Sequence, residues 1–264
     1  MTRIKNLFTR RRASVEVSEE DGVRSLHLGG DAIQSSIRLD RPDELALDYT
    51  QAMMAFLLFL PLPREVLMIG LGGGSMARYI HQRMPGTRTT VVEINPKVLA
   101  AARSMFHFPA DDARLQVEIA DGAHYVGDHA DSADVLLVDG FDDGKQPAAL
   151  CAQAFYDAAY AALRPGGVMV VNFMAEEKKL DVYLQRIEKS FDERVICLKA
   201  ADRVNLIVFG FKRHPRELSW AELRKRARQL KKIHELPLEA FVTGLKELNP
   251  HTPAKLRLRS AAAD

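Results

Sequence analysis

The sequence predicts an α/β protein: a doubly wound, mostly parallel sheet of seven strands, with a small antiparallel β annex in front and helices behind. Three observations carry this. Short apolar runs alternate with helix-compatible segments from residue 66 to residue 211. The first of these runs, Val66-Leu67-Met68-Ile69, passes straight into Gly70-Leu71-Gly72-Gly73-Gly74. An acid follows each of the next three runs: Glu93, Asp121 and Asp139.

The elements follow in order. Val15-Glu16-Val17 and Ser25-Leu26-His27-Leu28 alternate with period two around Asp21-Gly22, and Gly29-Gly30-Asp31 turns into a third alternating run, Ile33 to Leu39. This annex is too small to hold a core alone and must pack on the main domain, on a partner subunit or on both. Asp43 to Leu60 reads as one helix, with Leu45, Tyr49, Met53, Phe56, Leu57 and Leu60 at three- and four-residue steps, ended by Pro61 and Pro63. The core strands are expected at 66–69, 88–94, 115–119, 134–138 and 168–173. Helices are expected at 75–84, from Pro96, at 150–163 and at 176–190, and Arg164-Pro165-Gly166-Gly167 reads as a turn. Strands 194–199 and 204–211 lie close enough in sequence to form an antiparallel hairpin at the sheet edge. Leu218 to Leu248 reads as two amphipathic helices split by Pro237. The implied organisation is an annex and linking helix over 1–60, a catalytic domain over 61–212 and a helical extension over 213–264.

Composition narrows the class. Apolar content of 47% and charged content of 27% are those of an ordinary globular chain. A net charge of +2 creates no field demanding a polyanion, so nucleic acid is not an expected partner. The basic cluster Arg224, Lys225, Arg226, Arg228, Lys231 and Lys232 reads as a solvated helix face. Cys151 and Cys197, like the eight histidines, have no metal-ligand spacing, so no metal is expected. No apolar run is long enough to span a membrane, and the basic N-terminus lacks the apolar core of a secretory signal. A cytoplasmic protein with reduced thiols is the expectation.

The chemistry gathers at the strand ends. In open α/β sheets ligands bind beyond the C-terminal edges of the strands. A glycine turn lets a ligand approach bare backbone, and the following helix offers unpaired N–H groups. Glu93 stands about 20 residues beyond the glycines, where an acid binds the two hydroxyls of a ribose. The dinucleotide fingerprint is incomplete, because Ser75 fills its third glycine place, so NAD is not the favoured ligand. Any one of the acids alone reads equally well as a helix cap; three together beside a glycine loop read as a site.

The stretches VLMIGLGGG, VVEINPKVLAAARSMF, ARLQVEIADG, ADVLLVDGFDD, AFYDAAYAALRPGG and NLIVFGF resemble the spermidine synthase (polyamine aminopropyltransferase) family, within the class I S-adenosylmethionine-dependent methyltransferase fold. Gly30-Asp31 and Gln34 in the annex match the family's N-terminal piece, and the resemblance covers most of residues 25–211. It implies that Glu93 holds the ribose hydroxyls and that Asp121 takes the adenine amino group, with Gly122 and Ala123 beside it. Gly70, Gly72 and Gly74 would line the tail of a sulfonium donor, and Gln34 would be a further cofactor-binding residue. The donor would be decarboxylated S-adenosylmethionine, or S-adenosylmethionine in a methyltransferase. Asp139 and Asp142 match the family's D-x-x-D stretch: the first would assist the attacking amine, the second hold a cationic polyamine such as putrescine. Carboxylates suit a diammonium ligand, and one positioned acceptor can take the proton the nucleophile loses.

The chain also departs from the family. The loop aspartate that binds the aminopropyl amine is replaced by Gly73. The family's Tyr-His-Glu run aligns with Leu47-Asp48-Tyr49, a second His with Met53, and D-S-S-D-P with Asp139-Gly140-Phe141-Asp142-Asp143. The nucleoside half is kept and the amine half is eroded, with Asp48 or Tyr49 the candidate replacement. Three readings follow: an aminopropyltransferase, a methyltransferase, and a nucleoside-binding homologue without activity. A homodimer is expected, given the small annex and the oily 43–60 segment.

Overall fold

The computed structural model describes residues 15–28, 33–141, 146–215 and 218–258. The annex is a three-stranded antiparallel sheet, β1 (Val15–Glu20), β2 (Val23–Leu28) and β3 (Ile33–Arg38), in that order. Leu26 and Ile37 join the main core, so the annex is supported within the chain. The expected turn over Gly29-Gly30-Asp31 lies outside the described residues.

The large sheet contains β4 (Glu65–Ile69), β5 (Arg88–Glu93), β6 (Leu115–Ile119), β7 (Ala133–Val138), β8 (Leu163–Met174), β9 (Val195–Lys199) and β10 (Asn205–Phe211). Their order is β6-β5-β4-β7-β8-β10-β9, and only β10 runs against the rest, pairing antiparallel with both β8 and β9. The predicted edge hairpin is therefore present. The chain winds outward from β4 in one direction and from β7 in the other, so these two central strands mark the switch point.

Both faces of the central strands are buried, which explains their unbroken apolar runs. In β4, Val66 and Met68 face one hydrophobic cluster, with the annex, and Leu67 and Ile69 face the other. The helices between strands are α2 (Ser75–Arg83), α3 (Pro96–Met105), α4 (Gly122–Asp128), α5 (Gln153–Ala162) and α6 (Leu180–Ser190). Asn95 caps α3 by accepting from the Lys97 N–H at 3.1 Å, one residue before Pro96. After β10 come α7 (Trp220–His234) and α8 (Leu238–Leu248), split at Pro237 as expected. No helix of the described residues is long and apolar enough to cross a membrane.

Two segments differ from expectation. The helix expected over 43–60 is a short α1 (Asp48–Met53) continued by a 3-10 segment, Met54–Leu58. Carbonyls that a longer helix needs are taken by side chains: Pro42 O accepts from Arg78 and Leu45 O from Gln51 Nε2. Ala52 through Leu58 are buried on every side, so their apolar spacing carried no helical phase. Arg164–Gly167 is a bulge inside β8 rather than a turn before it. Ala133 pairs with Leu163 but Val135 with Val168, and Gly166 takes the left-handed φ of 87°.

Candidate active site

The ends of β4, β5 and β7 are knitted together by backbone. Gly70 N donates to Val92 O at 2.9 Å and Asp139 N to Ile69 O at 2.9 Å. Gly70 has φ of 96°, and a Cβ there would meet the Asp139 carbonyl oxygen at 2.5 Å. Only glycine lets the loop after β4 lie against the end of β7.

Glu93, the last residue of β5, is buried at 7% exposure. Its Oε2 accepts from Leu71 N at 2.9 Å and its Oε1 from Asn95 N at 2.8 Å. It thus ties the glycine loop to the end of β5. Asp121 caps α4: Oδ1 accepts from Ala123 N at 2.8 Å and His124 N at 3.2 Å. The capping reading and the ligand reading of Asp121 are compatible, because the cap uses one oxygen and the carboxyl is half-exposed.

Asp139 follows β7 and is the most perturbed acid of the site. Burial pushes its carboxyl up to about 7, against hydrogen bonds from Asn172 and Tyr49 that favour the anion. Asn172 Nδ2 donates to Oδ1 at 2.9 Å, and the Tyr49 hydroxyl donates to Oδ2 at 3.2 Å. The same hydroxyl lies 3.1 Å from the carbonyl of Gln34 in the annex. Desolvation and the nearby Asp139 hold the Tyr49 phenol well above its usual range, so it stays a neutral donor.

These groups line one cavity of about 910 Å³, within the range of small-molecule sites. Of the residues singled out from sequence, Gln34, Gly70, Gly72, Glu93, Asp121, Gly122 and Asp139 all line it. Gly74 does not: its Cα faces the ring of Phe108, which a Cβ would meet at 2.3 Å. Asp142 lies outside the described residues. Tyr49, Glu93, Asp121 and Asp139 are the ionisable groups on the described wall, and no Lys, Arg or His stands among them.

The spermine/spermidine synthase domain model matches residues 47–197, more than half of the chain. The chain belongs to the spermine/spermidine synthase family. It is 42% identical over 242 residues to the polyamine aminopropyltransferase of Chromobacterium violaceum, covering 92% of this chain and 93% of that one. It is 31% identical over 214 residues to the eEF1A lysine and N-terminal methyltransferase of Xenopus laevis, covering 74% of this chain but 30% of that protein. A probable spermidine synthase from Corynebacterium glutamicum superposes with a TM-score of 0.71 at 20% identity, covering 100% of this chain and 98% of that one. That likeness establishes the Rossmann-like methyltransferase fold.

Of the departures from the family noted in the sequence, the one at Gly73 sits in a tightly packed place. A Cβ on Gly73 would stand 2.8 Å from the Phe106 ring and 2.9 Å from Ser35 Oγ. The family's loop aspartate has no room here unless Phe106 and Ser35 both move. Two residues in contact with the site's named groups were not apparent from the strand-end rule. Ser35 reaches the glycine loop from the annex, across long sequence separation. Asn172 sits in the apolar run Val168 to Phe173, and an amide in such a run must find a partner. That mismatch was the readable signal.

Proposed function

We propose that this protein transfers the aminopropyl group of decarboxylated S-adenosylmethionine to a primary amine of a polyamine such as putrescine. The observation that carries the reading is the Asp139–Tyr49 pair in a cavity whose described ionisable groups are all acids or phenol. Donor and acceptor are both cationic: the donor has a sulfonium and an ammonium, the acceptor two ammonium groups. Intact S-adenosylmethionine would add a carboxylate with no described cationic side chain on the cavity wall to meet it, next to three acids.

In this reading Glu93 and Asp121 hold the nucleoside and the loop Gly70–Gly72 runs beside the sulfonium. The acceptor amine lies at Asp139. Asp139, poised near neutral pH, takes the proton that the attacking ammonium must lose. The nitrogen forms a bond to the carbon next to sulfur, the carbon–sulfur bond breaks, and its electron pair leaves with sulfur as neutral methylthioadenosine. Orientation of amine and carbon supplies much of the rate. Tyr49 steadies the Asp139 oxygen during the transfer.

The similarity to the Xenopus laevis methyltransferase and the loss of the loop aspartate at Gly73 favour methyl transfer as the second reading. Incubating the protein with each sulfonium donor and putrescine, then identifying the nucleoside by mass spectrometry, decides between them. Methylthioadenosine supports aminopropyl transfer; S-adenosylhomocysteine alone refutes it. The protein is further proposed to be a homodimer, with the annex edge at the half-exposed Ile33 available for association. A monomer by light scattering at micromolar concentration refutes that.

A further inference from the structure

Two buried amides stand in line behind Asp139. Asn172 on β8 donates Nδ2 to Asp139 Oδ1 at 2.9 Å, and Asn205 on β10 donates Nδ2 to Asn172 Oδ1 at 2.9 Å. They are 2% and 6% exposed, and neither lines the cavity. In the antiparallel β8–β10 ladder Asn172 lies opposite Ile207, two residues from Asn205, so both amides leave the same face of the sheet. Asn172 interrupts the apolar stretch Val168 to Phe173 and Asn205 opens β10 directly before the apolar stretch Leu206 to Phe211, places where a branched aliphatic residue would pack without a polar debt.

An amide is a donor at one end and an acceptor at the other. Whichever end of Asn172 faces Asp139 decides which form of the acid is favoured. A hydrogen bond donated to the carboxylate stabilises the anion, whereas an amide oxygen facing the acid stabilises the protonated form. Asn205 makes the choice: its own amide nitrogen meets the Asn172 oxygen, which turns the Asn172 nitrogen toward Asp139.

We propose that Asn172 and Asn205 are positioning residues for the transfer reaction, with Asn205 locking the Asn172 amide so that a donor always faces Asp139. The inference rests on the reading of Asp139 as the base. The lock holds Oδ1 at the back of the site and leaves Oδ2 toward Tyr49 and the cavity. Without Asn205, the Asn172 amide is free to turn over and trap the proton on Asp139. The other groups that face Asp139 among the described residues are Tyr49 from α1 and, across the cavity, Glu93 and Asp121. The 3-10 segment Ala148–Cys151 brings only the Cys151 thiol, which donates to Gln146 Oε1 rather than to Asp139.

The test is a carboxyl ¹³C titration of ligand-free protein labelled at aspartate, with Asp139 assigned from the signal lost in Asp139→Asn. Asn205→Leu is expected to raise the Asp139 midpoint by about one pH unit, the equivalent of one hydrogen bond to a charged group. The acid limb of kcat/KM should move by the same amount, with the polyamine KM little changed. Asn205→Ala, which has no bulk to accommodate, should move the midpoint the same way and replaces Asn205→Leu if that variant does not fold. An unchanged midpoint in a folded variant overturns the proposal, even if activity falls uniformly. A parent protein that transfers no aminopropyl group refutes the proposed function instead, and the titration still decides the role of the two amides.

Discussion

The Tyr49 hydroxyl donates to Asp139 Oδ2 across 3.2 Å and 90 residues of sequence. The tyrosine comes from α1, ahead of the large sheet, and the aspartate from the end of β7. Tyr49→Phe removes a donor that favours the anion, so the Asp139 midpoint must rise. The expected outcome is a loss of kcat of about 10-fold, of the order of one hydrogen bond to a charged group, and an acid limb displaced to higher pH. A pH–rate profile that overlays the parent's refutes the role.

Asp139→Asn keeps the shape and removes the base. Turnover should fall by about 10²–10⁴-fold while nucleoside affinity, measured by calorimetry, stays near the parent's. Stability should respond in the opposite sense. The folded carboxyl titrates at about 7 and the unfolded one at its ordinary value of 3.8, so the folded state binds more protons between these pH values and loses stability as pH rises through them. Asp139→Asn should therefore have a higher Tm than the parent at pH 8, with the gap closing below pH 4. An equal gap at both pH values would show that burial of the charge is not the cause.

Glu93 holds two backbone N–H groups, one of them in the glycine loop. Glu93→Ala should weaken nucleoside binding by about 1.5–3 kcal/mol and loosen the loop at the same time. Faster amide exchange at Leu71 accompanies the affinity loss in this account. Unchanged affinity in a folded Glu93→Ala protein counts against the pocket.

Gly73→Asp restores the family's residue to a place with no room for it. Phe106 and Ser35 must give way, and overpacking of this kind costs about 1–3 kcal/mol. Thermal unfolding should show a lower Tm, which Phe106→Leu in the same chain partly restores. A Gly73→Asp protein as stable as the parent would mean that the loop, not Phe106, adapts.

The parts legible in the sequence were those where one physical rule acts alone. Strands buried on both faces must be apolar throughout, which marked β4, β7 and β10, while the half-exposed β6 showed itself by alternation. Glycine before a helix and acids after strands marked the right sheet edge, and Gly70, Glu93 and Asp139 meet there. The helix expected over 43–60 failed because burial all round erases helical phase, and because Arg78 and Gln51 draw off its carbonyls. Gly74 had the right residue type but turns its bare face to Phe108 instead of the cavity. The contacts of Tyr49 and Asn172 with Asp139 join distant segments, so local spacing could flag the two residues but not their shared partner.

The contact between Gly70 and the Asp139 carbonyl has a mechanical meaning. In the proposed reaction, the loop beside the donor and the residue that takes the proton would share one stretch of touching backbone. Neither can shift along the sheet without dragging the other. The gap between the carbon that is attacked and the group that deprotonates the attacker is set by peptide units in the sheet, whose stiffness far exceeds that of any side chain. In the proposed reaction the surrounding walls, including the donor-side position Gly73, can therefore change while the distance on which the chemistry depends stays constant.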